Sequence, residues 1–173
     1  MTTNKKRNVL IIKTGFSEFL DRGISTIISL GDVLMCTSIL SLYKNDHVTW
    51  VTSFKGSPLL HGNPYIHDLL IFSPKVLQKI AQSSCDILIN LEKDIGICSF
   101  LRTIKAKEKY GFYFDTKRHD IATYNRSAQY LLDSQENHKD IHQSTLAILF
   151  QTVGGKWQGE VIFKMPIRCR GKI

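Results

Sequence analysis

The chain has 173 residues, a mass of 19.8 kDa, 43% hydrophobic and 22% charged residues, and a formal net charge of +8. A chain of this length buries roughly two thirds of its unfolded surface, enough for one domain with a real core. Its ordinary aromatic and charged content excludes a disordered tail, a collagen-like repeat and a small disulfide scaffold. The longest apolar stretch, residues 23–40, is interrupted by Asp32 and several hydroxyl residues, so it does not read as a membrane span. The apolar run between Arg7 and Lys13 is too short for a signal peptide. These features predict a cytoplasmic protein. Cys36, Cys85, Cys98 and Cys169 are widely spaced with no Cys-x-x-Cys pair, which predicts free thiols and no zinc site.

The positive charge is localised: residues 1–7 carry +3, residues 102–120 carry +3 and residues 156–172 carry +4. Such patches serve nucleic acid, an anionic membrane or a phosphorylated substrate, or are simply solvated surface. No basic run interleaved with aromatics is present, so nucleic acid is not an expected partner.

Short β-branched runs alternate with helical patterns along the chain. The first strand is predicted at 8–13, followed by a helix at 33–43 with a broad apolar face. Strands follow at 47–52 and 68–72, then a helix at 74–82 with Pro74 in its first turn, where a missing N–H costs nothing. A fourth strand is predicted at 86–91, a helix at 95–104, a short fifth strand at 109–113, and helices at 126–132 and 142–153. The alternation predicts an α/β fold: a Rossmann-like, mostly parallel sheet with right-handed crossovers and helices on both faces. Ligands of such sheets gather beyond the carboxyl ends of the strands, that is, after Lys13, Thr52 and Leu91. The pattern decays beyond Trp157. The expected division is a domain over 1–163 and the start of a linker or a tail over 164–173.

Three groups of residues fall on that edge. Gly31 and Asp32 open a helix; Asp32 either caps it or acts as a general base, which must come within about 2.6–3.2 Å of the hydroxyl it deprotonates. Residues Asn90 to Asp94 end the fourth strand: Lys93 could hold a phosphate or carboxylate and Glu92 a sugar hydroxyl, or Asp94 could merely cap the next helix. The loop 52–58 carries one cation, Lys55, among small residues. No Gly-x-Gly-x-x-Gly and no P-loop follow the first strand, so a dinucleotide or ATPase site is unsupported. His138 and His142 share a helical spacing but lack further ligands, and no metal site is expected.

Taken together, the segments 9–15 (VLIIKTG), 30–34 (LGDVL), 48–51 (VTWV), 58–66 (PLLHGNPYI), 89–94 (INLEKD) and 105–112 (KAKEKYGF) resemble the N-terminal domain of glycosyltransferase family 9, the ADP-heptose:lipopolysaccharide heptosyltransferases and their relatives. The resemblance runs over residues 8–163. It implies the acceptor-binding half of a GT-B fold and an inverting, metal-independent transfer that needs no cofactor. A heptose or similar sugar would pass from a nucleotide-sugar such as ADP-heptose to an anionic, lipid-linked glycan at the cytoplasmic face of the inner membrane. It implies Asp32 as the catalytic base, with Lys13, Thr14, Gly31, Lys55, Glu92, Lys93 and Arg126 as acceptor-binding residues. Two departures stand out. Sixteen residues separate Thr14 from Gly31 where family members have a few, and the chain stops where the interdomain linker would begin, so the donor-binding domain is not part of it. Two other readings remain open: a catalytically inactive domain that binds a glycan or a protein partner, and a generic nucleotide-binding α/β domain.

Overall fold

The computed structural model describes residues 5–16, 29–137 and 145–156. Six strands form one sheet in the order β3-β2-β1-β4-β5-β6. They are β1 (Asn8–Ile12), β2 (His47–Thr52), β3 (Asp68–Ile71), β4 (Ser84–Asn90), β5 (Lys105–Asp115) and β6 (Asp120–Thr123). All pairings are parallel except the last, β5 with β6. The helices are α1 (Leu30–Cys36), which tightens into a 3-10 turn over Thr37–Tyr43, then α2 (Ser57–Leu60), α3 (Pro74–Ala81), α4 (Ile95–Leu101), α5 (Arg126–Asn137) and α6 (Thr145–Thr152).

The period of two along β1 builds the layers. Val9 and Ile11 join a cluster with Val33, Cys36, Ile39, Leu40, Leu149 and Phe150, whereas Leu10 and Ile12 join one with Ile80, Ile97, Leu101 and Ile104. One face of the sheet is therefore covered by α1, its 3-10 extension and α6, the other by α3 and α4. Ile11, Ile39, Trp50, Leu88 and Ile89 are wholly buried, and each of the four aliphatic side chains among them contributes about 1.5–3 kcal/mol by leaving water. Two helix starts follow directly from local sequence. The Ser73 hydroxyl accepts from the Val76 amide with Pro74 at the first position, and the Asp94 carboxylate accepts from the Ile97 amide at 2.8 Å.

The predicted elements recur with shifted ends. Residues 142–144 of the last predicted helix lie outside the described residues, as do His138, Cys169 and the expected division at 163. Three features differ from the sequence reading: the four-residue helix α2 falls where only a loop was expected, and the other two concern the last strands. The fifth strand is not short: it runs eleven residues, and the four-residue strand β6 was not anticipated. Alternating lysines over 105–109 do not read as a strand, yet main-chain pairing with β4 forms one. Residues Lys105–Gly111 of β5 pair with β4 only, and Phe112–Asp115 pair with β6 instead. Cys36, Cys85 and Cys98 are free thiols. Among the described residues, no helix is long and apolar enough to cross a membrane.

Candidate functional site

Beyond the carboxyl ends of β1, β2 and β4, three loops are stitched together. The Lys13 amide donates to the Val51 carbonyl (3.1 Å), the Ser53 amide to the Thr14 carbonyl (3.3 Å) and the Leu91 amide to the Ile12 carbonyl (3.0 Å). This is the edge where the strand order reverses, between β1 and β4, and where ligands of doubly wound sheets bind.

The floor of this edge is polar and buried. Glu92 is 1% exposed, and its Oε1 accepts from the backbone amides of both Thr14 and Gly15, the latter at 3.0 Å. Lys13, 3% exposed, places its ammonium 3.2 Å from the Leu91 carbonyl and 3.6 Å from Glu92 Oε1. Burial pushes the Glu92 carboxyl above its ordinary range, against the opposing pull of Lys13 and the two amides. The main chain of Glu92 is itself clamped. Its amide donates to Asn90 Oδ1 (3.1 Å), and its carbonyl accepts from Asn90 Nδ2 (3.2 Å) and from the Cys98 thiol (3.2 Å). Asn90 also donates to the Phe112 carbonyl at 2.8 Å, and the Trp50 indole N–H donates to the Lys13 carbonyl at 3.3 Å.

Above the floor, Gly15 takes a positive φ of 79°, a conformation open to glycine without strain, and its carbonyl accepts from the Ser29 amide at 2.8 Å. That bond returns the chain to the edge immediately before α1. Asp32 follows in the first turn of α1, half-buried, and enters no hydrogen bond or ion pair among the described residues. It does not cap the helix: Ser29 occupies the cap position. A Cβ built on Gly31 meets nothing within 4 Å.

The residues expected to touch an acceptor thus fall into two sets. Gly31, Lys55 and Arg126 are exposed, and Asp32 is half-buried. Lys13, Thr14 and Glu92 are buried and turned onto one another rather than outward. Lys93 is half-buried: its ammonium donates to the Leu131 carbonyl of α5 at 3.1 Å and lies 5.1 Å from the centre of the Phe112 ring. Arg126 begins α5, on the β5–β6 side of the sheet, whereas Asp32 and Lys55 follow β1 and β2. Sequence reasoning missed the roles of Trp50, Cys98 and Ser29. Asn90 carried a readable signal, an amide ending the otherwise apolar run Ile87–Leu88–Ile89. Phe54, beside Lys55, is 79% exposed, an unusual position for an aromatic ring on this edge. Thr52 Oγ1 is buried with no hydrogen-bond partner among the described residues, and a Cβ on Gly56 would lie 2.6 Å from it.

Strand order, parallel pairing and two-sided helical cover define a doubly wound α/β domain of the kind found in GT-B glycosyltransferases. The same fold occurs in the family 9 glycosyl transferase of Veillonella parvula DSM 2008, with a TM-score of 0.57 and 18% identity over 86% of this chain and 41% of that one. E. coli heptosyltransferase WaaC with ADP is similar at a TM-score of 0.46 and 14% identity, over 84% of this chain and 53% of that one. This chain spans about two fifths of the length of the Veillonella protein. No family model and no curated protein matches the sequence. At 18% identity the likeness establishes the fold.

Proposed function

We propose that the chain is the acceptor-binding domain of an inverting, metal-independent glycosyltransferase resembling family 9. In this reading a heptose or similar sugar moves from a nucleotide-sugar such as ADP-heptose, held mainly by a second domain, to a phosphorylated lipid-linked glycan at the inner face of the membrane. The observation that carries the reading is Asp32: a carboxylate on the ligand edge, uncommitted to any partner among the described residues and flanked by the open space at Gly31. The shared fold supports the class of reaction.

The chemistry follows from that placement. Asp32 accepts the proton of the acceptor hydroxyl as its oxygen attacks the anomeric carbon from the face opposite the leaving nucleotide, and the configuration inverts. Exposed Lys55 and Arg126 attract acceptor phosphates, Lys93 lends its charge from the flank, and the Phe54 ring offers an apolar face to a sugar. Lys13, Thr14 and Glu92 form the floor on which the acceptor rests.

Isotope-labelled 173-residue chain is titrated with the phosphorylated inner-core oligosaccharide of lipopolysaccharide and, separately, with ADP. The reading expects saturable shifts of the Gly31, Asp32 and Ser53–Gly56 amides with the oligosaccharide and none of that size with ADP. The reverse pattern would overturn it in favour of a nucleotide-binding domain.

A further inference from the structure

A carboxylate that is 1% exposed and accepts two successive backbone amides cannot at the same time bind an acceptor, so the position of Glu92 calls for another role. The chain of contacts is continuous. Asn90 and Cys98 hold the main chain of Glu92; Glu92 holds the amides of Thr14 and Gly15; the Gly15 carbonyl holds the Ser29 amide; and Asp32 lies three residues further along the same helical turn. The Thr14 carbonyl, in turn, holds the Ser53 amide of the neighbouring loop. Lys13 supplies the compensating charge at 3.6 Å, without which a buried carboxylate would be strongly disfavoured.

We propose that Glu92 is a positioning residue: by fixing the Thr14–Gly15 turn it fixes the start of α1 and hence the place of Asp32 on the ligand edge. This rests on the acceptor-site reading for its consequence, though the tie itself stands on geometry alone. Hydrogen bonds in such low-dielectric surroundings are electrostatically stronger than the same bonds in water. Two donors from adjacent amides on one oxygen also define a direction, so the turn is held in orientation as well as in distance.

The test is amide hydrogen exchange on the 173-residue chain, comparing wild type with Glu92→Gln and Glu92→Ala. Glutamine keeps an acceptor oxygen of the same reach but loses the charge; alanine loses both. Exchange at Thr14, Gly15 and Ser29 is expected to rise about 3-fold to 10-fold in Glu92→Gln and at least 10-fold in Glu92→Ala, with Leu10 and Ile89 as unmoved references. If Glu92→Ala exchanges freely throughout, the milder Glu92→Gln variant decides the question by the same three amides. Rates at Thr14, Gly15 and Ser29 that rise no more than those at Leu10 and Ile89 would overturn the proposal. Affinity for the inner-core oligosaccharide gives the second readout: Glu92→Ala weakens it at least 10-fold and Glu92→Gln restores most of the loss. Local exchange that follows the expected order while wild type fails to bind the oligosaccharide would support the tie and overturn the acceptor reading instead.

Discussion

The Ser29 amide and the Gly15 carbonyl, fourteen positions apart in sequence, meet in a 2.8 Å hydrogen bond at the mouth of the candidate site. The chain therefore leaves the carboxyl edge after Gly15 and is back at the same point at Ser29, where α1 begins. Because the ends already touch, replacing residues 17–28 with a four-residue Gly-Ser linker should change the loop-closure part of stability by only about 1 kcal/mol, and a larger loss would measure packing by the segment itself. Urea unfolding checks this, and a changed affinity for the inner-core oligosaccharide would assign the segment to acceptor selection.

Asp32→Asn removes a charge that has no side-chain partner among the described residues, so its effect on unfolding should stay within about 0.5 kcal/mol, as for most surface substitutions. In a transferase that holds both halves, the same change should lower turnover by a factor on the order of 10²–10⁴, the usual contribution of a general base. Turnover within a few-fold of wild type would remove Asp32 from that role.

The glycines separate packing from function. Gly31 lies within α1 with open space beside it, so Gly31→Ala should stabilise the fold by roughly 0.5–1 kcal/mol through helix propensity while weakening glycan binding. Gly111 has a φ of +87° and lies against the Asn90 backbone, so Gly111→Ala should destabilise by about 2 kcal/mol or more. Thermal unfolding of the two variants should move in opposite directions.

Asn90 offers a test of the buried floor. It is wholly buried and its amide serves the main chain of Glu92 and the Phe112 carbonyl. Asn90→Ala leaves several of those groups without partners and should cost on the order of 3 kcal/mol, measured by urea unfolding.

A pH dependence resides at the opposite end of the sheet. His47 Nε2 lies 2.7 Å from Asp68 Oδ2, and this hydrogen bond, opposed by slight burial, holds the Asp68 carboxyl below its ordinary range. A depressed folded-state value means that the contribution to stability is present above the unfolded value of about 3.9 and is lost as pH falls through the folded one. The stability difference between wild type and Asp68→Asn should therefore be present above the unfolded carboxylate value and shrink as pH falls through the lowered folded-state one. A difference that grows on acidification would contradict the sign.

The layers of this fold were legible because apolar side chains announce burial on both faces of a strand, as in Val9 to Ile12 and Ile87 to Ile89. The edge that carries the candidate site was legible too, since strand order alone locates it. What the sequence did not reveal was direction. Lys13 and Glu92 read as ligand-facing charges at the ends of their strands, and only the fold shows them turned inward as a buried pair. β6 escaped notice because it has four residues and its turn places His119, a non-glycine residue, at a φ of 54°. A positive φ there carries no glycine to mark it.

The outer margin of β5 has one more consequence. From Lys105 to Tyr110 its main chain has a strand neighbour on one side only among the described residues, leaving amides and carbonyls that a strand of another molecule could join. Lys105, Lys107 and Lys109 punctuate that margin, and like charges brought edge to edge repel. Lys107 is itself paired with Asp86 Oδ1 at 2.6 Å, so part of the basicity over 102–120 is answered within the fold, and the rest leaves an edge that disfavours a second strand of like charge.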